Sequence, residues 1–541
     1  MCQDKKIKIK KGNTKSIDKN HDKEHAVWNR RSFLQALGLT SASSIVLGKL
    51  SVSAATQTPL SAALTTADND RVLVIVRLKG GNDGLNTVIP QYDFDTYANL
   101  RPTIKIETPN SFALSSDFRM PNYMQGLESL WNGGKMKIAH GVGYPNQNLS
   151  HFSSADIWSS AGNNGDSIQT GVYGRYFEDL YPDYLLNPPE IPPAIQIGSL
   201  SNLLFTGEDA GYSFSVANPE QLQSIAENGT AYDLQNVPPC TFGNQLGWIR
   251  SVVNSTYTYA GVIHQAYNNS TNNANYNSSD ISNQLSIVAR LIKGNLGTKI
   301  YMVTLDGFDT HADELNLHQA LMSDLTDAIT NFYIDLDDAG VGQNVLAMTI
   351  SEFGRRPEEN ASNGTDHGSA STMMLFGEGL EGNGFIGNHP DLSNLNEDEN
   401  LIFTTDFRSI YATVLEDWLC IDPDIVNATL LSNYTRADVG VMCNGTVGTD
   451  DYAAINSFKH RPIYKEDSVF LDFEIKTASH VTVEIINMLG KSLGFVYNER
   501  ILAGNYQVDL NPSQQRHTIG QYFYQINVSG KKYSKSIVFV K

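Results

Sequence analysis

Three nearly continuous apolar runs constrain the fold of this chain most: Val72–Leu78, Lys299–Leu305 and Asn344–Ile350. Runs of this kind are typical of strands that are buried on both faces of a parallel sheet. Between the last two runs, apolar side chains recur with helical spacing over residues 316–339. A strand, a helix and a second strand in this order predict an α/β domain with a parallel sheet and helices on both faces.

A polar cluster follows each of these predicted strands. The clusters are residues 80–86, 306–311 and 351–356, and a fourth lies in the glycine-rich stretch 364–369. Because ligands of open α/β sheets bind beyond the carboxyl ends of the strands, we expect the clusters to face one crevice. A single Asp after a strand is more often a helix cap, but four clusters together predict a functional site.

Charge is distributed unevenly along the 541 residues, which carry a formal net charge of −19. Residues 1–31 carry a net charge of +6 and residues 455–541 carry +4, so residues 32–454 carry −29. An acidic body repels phosphate backbones, which argues against binding of nucleic acid. Carboxylates that gather in a cleft favour divalent cations, although most acidic side chains simply lie at the surface.

The four cysteines restrict the chemistry further. None of them forms a C-x-x-C pair, which argues against a zinc–thiolate site. Cys420 and Cys443 are candidates for a disulfide bond in an oxidising compartment, which leaves Cys240 free.

Residues 1–55 have the features of an export leader. A lysine-rich segment precedes Asn29–Leu34, a weakly apolar stretch runs to about Val52, and small residues follow at positions 53–55. This order is that of a secretory signal peptide, and the paired arginines resemble the twin-arginine (Tat) signal. The alternative is a membrane anchor, which Lys49 disfavours. We expect no membrane-spanning segment in the mature chain.

The C-terminal segment predicts a separate all-β module. Residues 444–460 form a predicted linker, and residues 461–541 alternate as short strands with glycine turns, which predicts a small Ig-like sandwich. The pieces that carry a family resemblance are His480–Ile486, Met488–Lys491, Leu502–Tyr506, Gly520–Ile526 and Lys535–Lys541. They resemble the type A sorting domain of the type IX secretion system of Bacteroidetes. A carbohydrate-binding sandwich is the alternative.

This second resemblance has consequences for partners and location. It implies contact with the type IX secretion machinery, as the leader implies contact with the Tat translocon. The protein would cross the periplasm and reach the cell surface or the medium. The segment departs from the sorting family at its start, where Arg461–Tyr464 stands in place of a Tyr-Pro-Asn-Pro motif.

The body between these ends, residues 70–443, resembles the DUF1501 family, a domain of unknown function. The motifs that carry this resemblance are Leu78–Asn86, Ser150–Phe152, Thr304–His311, Ser351–Arg356, Thr365–Gly368 and Asp406–Arg408. That family is similar in organisation to the alkaline phosphatase and sulfatase superfamily, in which two metals flank a Ser, Thr or formylglycine nucleophile. The resemblance implies an alkaline-phosphatase-like parallel-sheet domain.

The resemblance also implies roles for individual residues around a divalent metal, for which Zn, Mn or Fe suit the donors better than Ca. We expect one metal within reach of Asp306, Asp309, His311 and His367, with Asp83, Ser150 and Glu352 across the crevice. Asp83 stands where the first-strand Asp of the superfamily binds a metal, and Glu352 stands in its Asp-His ligand motif, so the resemblance implies that both are metal ligands. Ser150 would be the nucleophile, at the start of a predicted helix over 150–158. Arg355 and Arg356 would hold an anionic group. Phe353 stands where the superfamily has a His ligand, so a second metal is lost or held differently.

Other histidines and charged pairs have simpler interpretations. His151 and His318 are expected to be packed or surface side chains rather than ligands. Asp406 and Arg408 predict an internal ion pair.

Three functions remain open from the sequence. The leading hypothesis is a secreted metal-dependent hydrolase of phosphate or sulfate esters. The alternatives are a non-catalytic secreted binding or envelope protein that keeps the fold, and a partner subunit of another exported protein.

Overall fold

The computed structural model describes residues 70–181, 184, 188–198, 202–208, 210–228, 232, 241–380, 384–443 and, with internal gaps, 460–539. The gaps fall at 466–467, 476–478, 488–491, 511–519 and 529–530. The predicted leader and residues 444–459 of the predicted linker therefore lie outside the described residues. Those that are described divide into two compact units, one on either side of residues 444–459.

The first unit contains fourteen strands and eleven α-helices in its described residues. The strands are β1 (Val72–Lys79), β2 (Ile89–Pro90), β3 (Ser111–Ala113), β4 (Phe118–Pro121), β5 (Met136–Gly143), β6 (Ala194–Ile197), β7 (Ser213–Val216), β8 (Ile300–Asp306), β9 (Val345–Ser351), β10 (Gly354–Arg355), β11 (His367–Gly368), β12 (Ser371–Phe376), β13 (Gly384–Ile386) and β14 (Thr405–Asp406). The helices are α1 (Gly84–Thr87), α2 (Phe94–Leu100), α3 (Glu128–Asn132), α4 (His151–Ser160), α5 (Val172–Leu180), α6 (Leu222–Asn228), α7 (Thr241–Asn268), α8 (Asp280–Lys293), α9 (Glu314–Asp338), α10 (Phe407–Thr413) and α11 (Pro423–Thr429).

Nine of these strands form one sheet. Its order is β13-β5-β12-β9-β1-β8-β6-β7, and β14 pairs with β5. All of its pairings are parallel except those of β12, which runs antiparallel to β5 and β9. The three strands predicted from the apolar runs are β1, β8 and β9, and they are neighbours. The α/β class predicted from the sequence is thus confirmed.

Helices cover both faces of this sheet because its strands are apolar on both. In β1, Val74 and Val76 belong to one buried cluster, together with residues of α7, α8 and α9. Leu73 and Ile75 belong to a second buried cluster, with residues of α4, α5 and α10. All four side chains are fully buried, and burial of each contributes about 1.5–3 kcal/mol.

Register brings the ends of the central strands to one level. Leu78 of β1 lies opposite Leu305 of β8 and opposite Ser351 of β9. The polar segments that follow these strands therefore begin side by side at the same edge of the sheet. This arrangement is the structural basis of the site described below.

The boundaries of other elements refine the sequence analysis. The helix predicted over 316–339 is α9, which begins two residues earlier at Glu314. Helix α8 begins after Ser279, which caps it, and the Ser279 hydroxyl accepts from the Ser282 amide. No helix in the described part of the chain is long and apolar enough to cross a membrane.

A disulfide bond joins Cys420 to Cys443, as the sequence suggested. Next to it, the Arg71 guanidinium donates to the carbonyl of Asp417 at 2.8 Å and to that of Met442 at 2.7 Å. These contacts attach the last residues of the first unit to the start of β1.

We expect loss of this disulfide to destabilise the first unit. The bond closes a loop with a sequence separation of 23 residues, which corresponds to about 3 kcal/mol through restriction of the unfolded chain. Replacing both Cys420 and Cys443 by Ser should lower the free energy of unfolding in urea by this amount. Under reducing conditions the wild-type protein should lose the same stability, whereas the variant should not change.

The second unit consists of strands in its described residues. They are β15 (His460–Lys465), β16 (Ser468–Ile475), β17 (Ser479–Asn487), β18 (Ser492–Ile501), β19 (Gly504–Asp509), β20 (Gly520–Val528) and β21 (Lys531–Phe539). They form two antiparallel sheets, β15-β16-β19 and β18-β17-β20-β21. Alternate side chains of both sheets, among them Leu471, Val483 and Ile526, share one buried core. An all-β module is thus present, while its Ig-like topology and its sorting role remain predictions.

Candidate metal centre

Four side chains meet at the carboxyl edge of the large sheet. Asp309 and His311 follow β8, His367 lies in β11, and His151 is the first residue of α4. The Nε2 atoms of His311 and His367 each lie 3.1 Å from Asp309 Oδ1. His151 Nε2 lies 3.5 Å from Asp309 Oδ2. Three imidazoles therefore point one nitrogen each at a single carboxylate.

The other nitrogen of each imidazole contacts an oxygen atom on its outer side. His367 Nδ1 lies 2.9 Å from the carbonyl oxygen of Leu149, and His311 Nδ1 lies 3.0 Å from Asp366 Oδ1. His151 Nδ1 lies 3.5 Å from Glu352 Oε1. Histidines that bind metals characteristically donate their second N–H to a carboxylate or carbonyl in this way.

These outer contacts determine what the inner nitrogens can do. The Leu149 carbonyl can only accept a hydrogen bond, so His367 carries its proton on Nδ1 and presents a lone pair at Nε2. The carboxylate of Asp366 likewise lies beside Nδ1 of His311. The two Nε2 atoms are 3.1 Å apart and both face Asp309 Oδ1. A cation placed among these three atoms would have all of them as ligands.

A metal ion fits this arrangement of donors. Atoms bound to one ion at roughly 2.0–2.2 Å lie about 3–3.5 Å apart in tetrahedral or octahedral geometry. The Nε2 atoms of His311 and His367 lie 3.1 Å from Asp309 Oδ1 and from each other. His151, Asp309 and His367 also each offer one ligand atom, and these atoms all lie within 4.8 Å of one another. His311 adds a further imidazole beside them. Imidazole nitrogen with one carboxylate suits Zn, Mn or Fe.

The charge states of the donors also favour a cation. Burial by itself would raise the pKa of Asp309, but the hydrogen bond and positive charge of Arg355 outweigh burial, and the pKa falls to about 2. Burial lowers the pKa of His367, against the effect of Asp309. Asp309 is thus anionic and His367 neutral at pH 7, the forms in which both bind metals.

Arg355 supports Asp309 from behind. Its guanidinium donates to Asp309 Oδ1 at 2.9 Å and to backbone carbonyls of Gly80, Gly81, Phe308 and Thr365. Its side chain is 0% exposed. The structure therefore places this residue, predicted as a catalytic contact to an anion, where it connects three loops and orients Asp309.

Close approach of the loops requires glycine after β1. Gly81 has φ +93°, and a Cβ atom there would lie 2.5 Å from the ring of Phe353. That ring in turn packs against the imidazoles of His151 and His367, at centroid distances of 4.9 and 4.4 Å. Phe353, which the resemblance placed at a ligand position, thus forms an apolar wall of the centre.

Glu352 lies behind His151 rather than among the inner donors. It is 3% exposed, and its Oε1 accepts from the Gly80 amide at 3.1 Å. Its Oε2 is buried with no hydrogen-bond partner among the described residues. In this position Glu352 orients His151, although the sequence analysis assigned it to the metal itself.

Asp306 and Asp83, the other two predicted ligands, have cationic partners of their own. Asp306 is exposed and pairs with Lys79 at 2.6 Å. Asp83 is fully buried and binds the guanidinium of Arg101 through both oxygens. The structure brings neither into the cluster around Asp309. For Asp83 the reason is that the guanidinium already supplies its positive charge.

A second carboxyl group, Glu314, completes a buried cluster with Asp83. Glu314 is fully buried at the start of α9 and accepts a hydrogen bond from Thr365 Oγ1. Burial and then the negative charge of Asp83 raise the pKa of Glu314 to about 9. For Asp83, Arg101 outweighs burial and holds the pKa well below its usual range. One guanidinium thus balances one carboxylate, and Glu314 is protonated at pH 7.

We expect the stability of the first unit to fall as pH rises from 4.5 to about 9, because the pKa of Glu314 differs between the unfolded and folded states. A carboxyl group with a raised pKa in the folded state stabilises fully below its unfolded value of 4.5, and this contribution is lost as pH rises through about 9. The loss approaches about 1.4 kcal/mol per pH unit between these values. Glu314→Gln should remove the dependence and exceed wild type in stability at pH 9. An exposed control, Glu220→Gln, should keep it, as urea unfolding at pH 5, 7 and 9 would show.

Ser150 lies at the rim of the centre. It is exposed and precedes α4 as its N-cap residue, but its side chain makes no capping hydrogen bond. Its neighbours on either side, Leu149 and His151, both contact the cluster. The hydroxyl and the first amides of α4 thus stand beside the candidate metal position, an arrangement that suits an anion.

Sequence reasoning missed His151, Glu314 and the outer role of Asp366. His151 and Asp366 both lie in motifs that carried the family resemblance, so their signal was present. For Asp366 the signal was its position next to His367, whereas His151 needed α4 to be placed. Glu314 gave no signal, because an acidic residue in the first turn of a helix is common. The ion pair expected between Asp406 and Arg408 is present, at 2.7 Å.

Fold and centre together define an α/β protein with a histidine- and carboxylate-rich site at the carboxyl edge of its sheet. The model of a family described as protein of unknown function (DUF1501) matches residues 263–431. This segment is about a third of the chain and contains Asp309, His311, Asp366 and His367. The match supports the family resemblance seen in the motifs. No curated protein is similar to the chain.

Solved structures of phosphatases and sulfatases are similar at low identity. The sulfatase PsFucS1 from Pseudoalteromonas sp. is 9% identical, with 83% of this chain and 85% of that one covered, at a TM-score of 0.31. The lipoteichoic acid synthase LtaP from Listeria monocytogenes is 10% identical, with 81% and 86% covered, at 0.27. Alkaline phosphatase from the Antarctic bacterium TAB5 is 10% identical, with 58% and 94% covered, at 0.25. At scores this low, the chemistry of this chain rests on its own residues.

Proposed function

We propose that this protein is an exported, metal-dependent hydrolase of phosphate or sulfate esters, with an alkaline-phosphatase-like body. The observation that carries the proposal is the convergence of two imidazole nitrogens on Asp309 Oδ1, each at 3.1 Å. Their outer nitrogens are held as donors by Asp366 and the Leu149 carbonyl. A cation is the species that makes this arrangement favourable.

Each residue has a role in this proposal. Asp309, His151, His311 and His367 would hold the cation, which supplies Lewis-acid polarisation of an ester oxygen when bound. Asp366 and Glu352 orient two of the imidazoles. The Ser150 hydroxyl, free of any capping bond, is positioned to attack the ester, and the first amides of α4 bind its oxygens.

The proton balance of such an attack involves Ser150 and solvent. When the hydroxyl forms a bond to the phosphorus or sulfur atom, the bond from that atom to the ester oxygen breaks, and the hydroxyl proton passes through water to the alcohol that leaves. His151 is a ligand in this proposal and does not take this proton, since its Nε2 faces the cation and its Nδ1 faces Glu352. Water then hydrolyses the ester on Ser150 and restores the hydroxyl.

Export is the second part of the proposal. The twin-arginine pattern near Arg30 and Arg31 and the C-terminal strand module support transit by the Tat translocon and then by the type IX secretion machinery. The disulfide between Cys420 and Cys443 fits an oxidising location outside the cytoplasm. The cell surface or the medium would be the final location.

A non-catalytic binding or envelope protein is the second candidate. Phe353 packs as an apolar wall against two imidazoles, and Asp83 is neutralised by Arg101. Both observations leave this site with fewer free metal-binding side chains than a two-metal enzyme has.

Metal analysis of the full chain, purified without chelator, tests the proposal and separates the candidates. We expect close to one equivalent of Zn, Mn or Fe and hydrolysis of an aryl phosphate or aryl sulfate that chelation abolishes. Bound metal without hydrolysis would favour the binding protein. Absence of metal after incubation with each of the three ions would refute the centre itself.

A further inference from the structure

We infer that the centre acts on esters with a single negative charge, either sulfate monoesters or phosphate diesters, in preference to doubly charged phosphate monoesters. This inference rests on the proposed function and specifies its substrate class. It follows from the charges that surround Asp309 and from the pairing of every basic side chain in the adjoining loops.

The charges that contact the centre already balance once a divalent cation is present. Three carboxylates take part: Asp309 among the inner donors, Glu352 behind His151, and Asp366 behind His311. The positive charges are those of the cation and of Arg355, which binds Asp309. The three imidazoles are neutral as ligands. An incoming ester therefore meets a centre without net positive charge, and each further negative charge on it is less well compensated.

The basic side chains of the strand-end loops are committed to other carboxylates. Lys79, at the end of β1, pairs with Asp306 at 2.6 Å. Arg356, next to Arg355, pairs with Glu399 at 3.4 Å. Each of these two basic side chains thus already has a carboxylate partner, which reduces its attraction for a second negative charge on an ester.

Two further arginines are also engaged away from the mouth of the centre. The side chain of Arg101 is fully buried and bound to Asp83. Arg77 belongs to β1 and lines a cavity with Trp158 and Glu352, where its charge acts on Asp156. Asp156 is thus the carboxylate that compensates Arg77, and the charge of Glu352 remains with the centre.

The positive pole that remains is the N-terminus of α4. This helix has ten residues, and a helix N-terminus corresponds to about half of a unit charge. Beside Ser150 it can compensate part of one negative charge on a sulfo or phosphodiester group. A phosphate monoester carries two negative charges at pH 8, because its second pKa is about 6.

Relative rates on three aryl esters test the inference. The full chain, loaded with the metal found in it, is given p-nitrophenyl sulfate, bis(p-nitrophenyl) phosphate and p-nitrophenyl phosphate at pH 8. We expect kcat/KM for at least one singly charged ester to exceed that for the phosphate monoester by about tenfold or more. The first two substrates distinguish a sulfatase from a phosphodiesterase.

A variant outside the catalytic machinery gives a sharper test. Glu399→Gln releases Arg356, so kcat/KM for the phosphate monoester should rise about threefold to tenfold, with less change for singly charged esters. The matched control is Glu378→Gln, which removes the same charge at another ion pair. Glu378 contacts Lys135, which also contacts Asp337 and immediately precedes β5, so this charge lies at the opposite edge of the sheet. The control should leave kcat/KM unchanged, both for the phosphate monoester and for the singly charged esters.

Binding provides a readout that is independent of turnover. In isothermal titration calorimetry of the metal-loaded protein, methyl sulfate or dimethyl phosphate should bind more tightly than doubly charged methyl phosphate. A preference for the phosphate monoester in rate and for methyl phosphate in binding would overturn the inference and leave the hydrolase intact. If no ester is cleaved, the proposed function fails, and the calorimetry still decides which charge the site prefers.

Discussion

His367→Ala is expected to remove the bound metal and all hydrolytic activity while the fold is retained. His367 Nε2 is one of the inner donors, at 3.1 Å from both Asp309 Oδ1 and His311 Nε2. Loss of an outer-shell partner alone typically weakens metal binding 10- to 100-fold, so loss of this donor should cost more than about 100-fold. Metal content after dialysis against trace metal, with circular dichroism for the fold, measures both parts.

Two further variants make this prediction specific. Asp366→Ala removes the outer acceptor of His311 and should weaken metal binding by only about 10- to 100-fold. His480→Ala removes an exposed imidazole of the second unit and should leave metal content unchanged. Full metal content in His367→Ala would contradict the shared site, because the remaining donors would then suffice.

Arg101→Met is expected to destabilise the first unit by about 3–5 kcal/mol. The guanidinium of Arg101 and the carboxylate of Asp83 are both fully buried, and each forms two contacts with the other. Removing one partner of a buried ion pair leaves an uncompensated charge in a medium of low polarity. The protonated carboxyl group of Glu314 beside Asp83 stabilises that charge only in part.

Tryptophan fluorescence in urea measures this effect in the first unit. Trp131, Trp158, Trp248 and Trp418 all lie between residues 70 and 443, and the second unit has no tryptophan. The double variant Arg101→Met, Asp83→Asn should regain much of the stability, since it removes the unpaired charge. A loss below about 1 kcal/mol in the single variant would show that water or another cation reaches Asp83.

The two effects concern different layers of the same sheet edge. The inner donors around Asp309 are partly exposed, and their geometry serves a ligand. The cluster of Asp83, Arg101 and Glu314 is buried beneath the loops and serves stability. Arg355 and Thr365 belong to both layers, because Arg355 donates to the Thr365 carbonyl and Thr365 Oγ1 donates to Glu314.

The sequence by itself determined the class of fold and the approximate location of the site. Apolar runs such as Val72–Leu78 are local patterns, and they are typical of strands that are buried on both faces of a parallel sheet. The polar clusters after β1, β8 and β9 were likewise readable, because parallel strands deliver their ends to one edge. Asp306, Asp309, His311 and His367 were therefore predicted to lie together. The last three do, whereas Asp306 pairs with Lys79.

Only the tertiary structure decided which polar residues share a partner. Asp306 and Asp309 are three positions apart and chemically alike, yet Asp306 pairs with Lys79 and Asp309 with Arg355. Asp83 resembles a ligand in sequence, but Arg101, eighteen positions further on, neutralises it. His151 resembles a packed residue until α4 directs it at Asp309. Electrostatic energy depends on distances across the fold, and a linear pattern of residues does not encode those distances.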